Sequence, residues 1–315
     1  MTETDIVVLR QTIHGVGAQE LVDVIRETLS DMTVSLARTP AEERELLETA
    51  RIAVGLDIDE ELLNAAENLE LFACVFAGTG HLPREALDDH DVAVTNASGV
   101  HAPNISEYVI GSMITHARQF HLDQRQQSRR EWRTHETTEV YGSTVAVVGL
   151  GAIGQAIVDR LEPFDVETVG VRYSPEKGGP TDDVYGFDEI HEALWDAEYV
   201  VLACPLTDAT RELIDADALR TMRSDAVLIN IARGAVVDTD ALVSELRNNR
   251  IRGAALDVTD PEPLPEDHPL WGLGNVTITP HNAGHTPAYY QRAAAILTEN
   301  VERLQTGDDL KNRVV

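Results

Sequence analysis

Lysine is almost missing from this chain. Lys177 and Lys311 are the only two among 25 basic residues, so the other 23 are arginine. Basic residues of any kind are outnumbered by 54 acidic ones, and the formal net charge is −29. So little positive charge argues against nucleic acid as a partner, because a phosphate backbone is gripped by basic patches. Cysteine is equally scarce. Cys74 and Cys204 lie far apart in unlike contexts, which excludes a disulfide framework and fits a reduced cytosol. No run of about 18 apolar residues occurs, so no membrane-spanning helix is expected. Residues 1–5 carry no basic charge, and no signal peptide is expected there.

What is present is the composition of a folded, acidic protein. Hydrophobic residues make up 43%, which excludes a disordered acidic chain. The length of 315 residues suggests about two domains and buries most of the unfolded surface without a staple. We read the acidic, lysine-poor surface as an adaptation to high salt, with an ordinary acidic protein as the alternative. Carboxylate self-repulsion opposes the compact state in dilute buffer. In molar salt the Debye length falls to ~3 Å and screens that repulsion.

Residues 1–100 alternate short apolar runs with amphipathic stretches. The runs at 6–9, 34–36, 52–54, 71–76 and 92–95 read as strands. Helical spacings fall between them, such as Leu21, Val24, Ile25 and Leu29. This alternation predicts βαβ units and a parallel sheet. A helix is predicted over 105–120, then a polar, charge-rich stretch over 123–139. A second series follows, with strands at 144–148, 168–171, 199–203, 226–230, 253–257 and 276–279. The chain closes on an amphipathic helix over 288–304, with Tyr289, Ala293, Ile296, Leu297, Val301 and Leu304 on one side.

Gly149-Leu150-Gly151-Ala152-Ile153-Gly154 follows a predicted strand and opens a predicted helix. That context turns a weak glycine pattern into a dinucleotide fingerprint. Gly149 allows a tight turn, Gly151 lets backbone approach a pyrophosphate, and Gly154 lets helix pack close to strand. Amides at the helix start, from Ala152 and Ile153 onward, then face the anion. The next strand ends in Arg172-Tyr173-Ser174, with no acid before Glu176. An arginine there suits a 2′-phosphate better than a bare ribose, and Ser174 adds a donor. NADP(H) is therefore favoured, with NAD(H) the alternative. A solvated surface arginine is the bland reading of Arg172.

Three C-terminal segments carry chemistry: Asn230-Ile231-Ala232-Arg233-Gly234, the stretch from Asp257 to Leu264, and Thr279-Pro280-His281-Asn282-Ala283-Gly284. Each follows a predicted strand, where ligands of doubly wound sheets bind. Arg233 can grip a carboxylate bidentately and polarise the neighbouring keto oxygen. His281 is the side chain suited to exchange a proton near neutral pH. Glu262 can hydrogen-bond the second imidazole nitrogen and orient the ring. Each alone reads equally as a loop residue, and their joint pattern is what marks a site.

Across essentially its whole length the sequence resembles the D-isomer-specific 2-hydroxyacid dehydrogenases. The resemblance rests on Gly149 to Gly154, Cys204-Pro205-Leu206-Thr207, Asn230 to Val237, Asp257 to Leu264, Pro280 to Gly284, and Glu299-Asn300-Val301. It implies an α/β fold of two doubly wound parallel-sheet domains, Rossmann-like and flavodoxin-like, with an interdomain cleft. Residues 1–100 with 285–315 would bind substrate, and 101–284 the dinucleotide, with hinges near 99–104 and 284–287. It further implies that Arg233 binds substrate, His281 is the acid/base, Glu262 is its partner and Asp257 holds the nicotinamide carboxamide. The cofactor set by this reading is Gly149, Gly151, Ala152, Ile153, Gly154, Arg172, Tyr173, Ser174, Cys204, Pro205, Ile231, Asp257 and His281. No metal is expected.

Phe76-Ala77-Gly78-Thr79-Gly80-His81-Leu82 resembles the family's substrate loop, making the Ala77 and Gly78 amides candidates for the carboxylate. Family members often carry Asp where Gly80 stands. Glu262 favours 2-keto acids over formate, since related formate dehydrogenases carry glutamine there. The length is expected to leave no room for the regulatory domain common in phosphoglycerate dehydrogenases. A cytoplasmic homodimer is implied, with the 105–117 helix at its interface, the alternative being that it is only an interdomain helix, and with Trp132 reaching the partner's site. The family also resembles transcriptional corepressors, so a dinucleotide sensor is a second reading, and oxidation of an oxyanion such as phosphite a third.

Overall fold

The structure, a computed structural model, describes residues 4–11 and 17–315. Met1, Thr2 and Glu3, part of the stretch expected to lack a signal peptide, lie outside the described residues. The chain divides into two compact units, Met1–Val100 with Thr286–Val315, and His101–His285.

The first unit is built on strands β1 (Ile6–Val8), β2 (Val34–Leu36), β3 (Ile52–Gly55), β4 (Leu71–Cys74) and β5 (Ala93–Thr95). They pair in parallel in the order β2-β1-β3-β4-β5. Helices cover both faces, so the strands read as continuous apolar runs. Ile6 and Val8 turn to the face covered by the Tyr289–Thr306 helix, among Leu71, Tyr289 and Leu297. Val7 turns to the other face, among Leu47, Leu63 and Phe72. This two-residue alternation is the pleat expressed as burial. Two short helices here start on side-chain caps. Thr39 accepts from the Glu42 amide ahead of Pro40, and Asp59 accepts from the Leu62 amide.

The second unit carries β6 (Thr144–Val148), β7 (Glu167–Val171), β8 (Asp183–Tyr185), β9 (Tyr199–Leu202), β10 (Val227–Asn230), β11 (Gly253–Leu256) and β12 (Val276–Ile278). All pair in parallel in the order β12-β11-β10-β9-β6-β7-β8. The chain builds outward from β6 in one direction, then returns to β9 on its other side. That reversal is where open α/β sheets bind ligands, outside the strands' carboxyl ends. Ala146, Val148, Val200 and Leu228 face one core layer; Val145, Val147, Val201 and Ile229 face the other.

Two elements had no counterpart in the sequence reading. β8 is a three-residue edge strand opening on exposed Asp183, so it has no apolar run to see. The helix Phe120–Ser128 buries only His121, and it is set off from Ala102–Arg118 by Gln119 at φ +59°. The polar stretch begun at Asp123 is therefore partly helical.

Candidate active site

The glycine loop fits a dinucleotide by shape. Gly149 sits at φ +107°, a conformation costly for any residue with a Cβ, and a Cβ there would strike the Cys204 backbone. At Gly154 a Cβ would collide with the Gly149 carbonyl. Gly151 is the opposite case. It caps the Ala152–Leu161 helix, and a Cβ on it would meet nothing within 4 Å. No side chain caps this helix and no acid lies in its first turn, so its amides and positive dipole end stay available to an anion. These residues fit the pyrophosphate of a nicotinamide dinucleotide. Cys204 is buried behind the loop, and burial pushes its thiol up to about 11, leaving it a neutral packing group. Pro205 beside it is exposed, and Ile231, 9% exposed, lies one strand away.

Arg172 directly follows β7 (Glu167–Val171), as expected. Its guanidinium donates to the Gly178 carbonyl and so braces the turn that carries Tyr173 and Ser174. Tyr173 is 80% exposed, its ring edge-on to Phe187. Among the described residues Arg172 has no carboxylate partner.

The other three segments stand at the carboxyl ends of β10, β11 and β12, adjacent strands of the same sheet. At β10, Asn230 closes the turn with both ends of its amide. Its Nδ2 donates to the Arg233 carbonyl at 3.0 Å, and its Oδ1 accepts from the Ala232 amide at 3.0 Å. Arg233 is exposed, Nη1 donating to the Ala232 carbonyl, and among the described residues it too lacks a carboxylate partner. Next to it, a Cβ on Gly234 would collide with the Thr259 carbonyl, so the Arg233 turn lies directly against the backbone leading to Glu262.

Glu262 is held at both oxygens. Oε1 accepts from the Thr259 amide at 3.0 Å, and Oε2 lies 2.9 Å from His281 Nδ1. With Nδ1 on the carboxylate, Nε2 is the nitrogen left to exchange a proton. The His281 side chain is 51% exposed. Asp257, 3% exposed, sits beneath the loop that presents it. Its carboxylate accepts from Thr279 Oγ1 at 2.6 Å and from the Asn282 and Ala283 amides at 3.0 Å each. Its carbonyl accepts from the His281 amide at 2.8 Å. The buried carboxylate thus already serves the His281 loop.

In the first unit, the loop after β4 exposes Ala77 and Gly78. Asn96 Nδ2 donates to the Ala77 carbonyl at 2.7 Å, and Arg84 donates to Thr79 Oγ1 at 3.0 Å. Asn96, Thr259 and Asn230 were not singled out from sequence. Asn230 and Thr259 lay inside quoted motifs, but their roles are backbone contacts that no residue pattern announces. Among the described residues no group of His, Cys, Asp and Glu could hold a metal, and no helix is long and apolar enough to cross a membrane.

Residues 110–283 match the model of the D-isomer specific 2-hydroxyacid dehydrogenase, NAD binding domain. A glyoxylate reductase of Thermofilum pendens is 34% identical over 260 residues, 80% of this chain and 76% of that one. A glyoxylate reductase/hydroxypyruvate reductase of Homo sapiens is 34% identical over 233 residues, 71% of this chain and 70% of that one. Among solved structures, a D-isomer specific 2-hydroxyacid dehydrogenase from Xanthobacter autotrophicus Py2, in complex with NADPH and MES, is similar with a TM-score of 0.77. It is 27% identical, and the match covers 100% of this chain and 98% of that one.

Fold and match agree on the class, a nicotinamide-dependent oxidoreductase. More narrowly, this chain belongs to the D-isomer specific 2-hydroxyacid dehydrogenase family, whose chemistry is the CH–OH group of hydroxy acids.

Proposed function

We propose that the protein reversibly reduces 2-keto carboxylic acids to D-2-hydroxy acids, with NADPH favoured over NADH. The observation that carries this is the 2.9 Å contact of His281 Nδ1 with a Glu262 carboxylate that is itself held by the Thr259 amide.

Arg233 takes the substrate carboxylate bidentately and polarises the keto oxygen. The Ala77 and Gly78 amides add donors to the same carboxylate. Glu262 fixes the ring, so the His281 Nε2 proton goes to the oxygen as it becomes an alkoxide. When bound, the nicotinamide supplies the hydride that reaches the carbonyl carbon. Gly149, Gly151, Ala152, Ile153 and Gly154 hold the pyrophosphate, and Cys204, Pro205 and Ile231 line the path to the ring. Asp257 holds the carboxamide with the acceptor capacity its loop leaves free. Arg172, with Tyr173 and Ser174, takes the adenosine ribose and its 2′-phosphate. The absence of a carboxylate partner on Arg172 among the described residues supports this in a chain of net charge −29.

Steady-state kinetics with NADPH and NADH over glyoxylate, pyruvate and 2-ketoisocaproate, in molar KCl, tests the reading. NADPH should be preferred, and Arg172→Ala should cut kcat/KM for NADPH about 10- to 100-fold, the worth of a charged hydrogen bond, while sparing NADH. Preference for NADH overturns the role of Arg172, and no turnover of any keto acid overturns the function. We further propose a homodimer working in a high-salt cytosol. Trp132, 99% exposed beside Phe120 at 47%, supports a partner surface there.

A further inference from the structure

The loop after β4 begins with a large apolar side chain turned to solvent. Phe76 is 40% exposed. A lone exposed apolar residue is ordinary on a protein surface. This one stands on a loop pinned at several points, and directly before the two amides proposed to hold the substrate carboxylate. The Phe76 carbonyl accepts from the Ala97 amide at 3.2 Å, and the next carbonyl, that of Ala77, accepts from Asn96. The ring itself rests edge-on against His81, centroids 6.4 Å apart at 66°. His81 is anchored in turn, Nε2 donating to the Leu56 carbonyl at 2.8 Å. A Cβ built on Gly78 would meet the ring at 3.5 Å, so the ring lies along the Gly78 backbone. Phe76 is therefore a fixed apolar wall beside those amides.

Consecutive Cα atoms are only ~3.8 Å apart, so a group held on the Ala77 and Gly78 amides lies within reach of the preceding side chain. The substituent on C2 is one bond further from the carboxylate than the keto carbon. This wall offers it no charge and no hydrogen bond. A phosphate, sulfonate or hydroxymethyl group placed against the ring would lose water and gain no partner. An alkyl group would gain contact.

We propose that Phe76 contacts the C2 substituent and makes the enzyme selective for 2-keto acids with apolar side chains. This rests on the function proposed above and deepens it.

The test compares kcat and KM for 2-ketoisocaproate, glyoxylate and hydroxypyruvate in wild type, Phe76→Ser and Phe76→Leu, with melting temperatures as a check on folding. Wild type should prefer 2-ketoisocaproate to hydroxypyruvate. Phe76→Ser should lower kcat/KM for 2-ketoisocaproate at least about tenfold, mainly through KM, and change glyoxylate less than about threefold. Phe76→Leu should restore most of the loss. An equal fall for all three substrates, or an unchanged ratio between them, overturns this inference while leaving the proposed function standing. A wild type that reduces none of them overturns both.

Discussion

His281 pairs a functional role with an unusual backbone. Its φ is +52°, a conformation that costs a side-chain-bearing residue on the order of 1 kcal/mol or more. The Asp257 carbonyl and carboxylate hold the surrounding turn through four hydrogen bonds. The imidazole is thereby delivered to Glu262 instead of searching for it. His281→Ala should reduce kcat by about 10²- to 10⁴-fold, the usual worth of a positioned acid/base, with a smaller change in KM. Retention of near-normal turnover would sink its assignment. A different histidine contributes to acid sensitivity. His116 is 1% exposed, and burial, then neighbouring His121 and Arg252, lower its pKa to about 3. The fold thus favours neutral His116, while the unfolded chain takes up the proton at about 6.5. Its stabilising contribution is complete above pH ~6.5 and is lost as pH falls toward 3, with a slope of about 1.4 kcal/mol per pH unit. Urea unfolding of wild type and His116→Gln from pH 7 to 5 should show the steeper acid loss in wild type.

At the scale of elements, the strands were legible because both sheet faces are covered. Ile6, Val7 and Val8 are each 0–1% exposed, so the run has no polar gap. The glycine fingerprint was legible for a related reason: strand, turn and helix are contiguous in sequence. β8 and the helix Phe120–Ser128 were not legible, since neither buries an apolar stripe. Contacts between elements are a further layer. The Arg233 turn of β10 and the Glu262 segment after β11 meet backbone to backbone at Gly234. Gly234→Ala should force these two loops apart, costing about 1–3 kcal/mol in stability. It should lower kcat/KM beyond what Gly272→Ala does, a position where a Cβ meets nothing within 4 Å. Melting temperatures and steady-state kinetics on the two variants measure both effects.

For the whole molecule, the charge of −29 opposes compactness and the approach of anionic ligands alike. Many arginines are absorbed by neighbours, as Arg51 is by Glu70 and Arg223 by Asp196 and Asp225. Arg172 and Arg233 donate to backbone carbonyls instead. Raising KCl from 0.1 to 2 M shortens the Debye length from ~10 Å to below ~3 Å. The melting temperature should therefore climb steeply over that range, and a flat profile in calorimetry would count against the high-salt reading. By itself the sequence determined the class of fold, the phosphate loop and the candidate chemistry. Those depend on local periodicity and on residue types at strand ends. Only the tertiary structure decided that Glu262 and His281, 19 residues apart, meet at 2.9 Å and that Asp257 secures the loop that carries His281. Such pairings follow from which strands lie side by side, β12 next to β11 next to β10. Strand neighbours are set by packing of the whole sheet, which no local run of residues encodes.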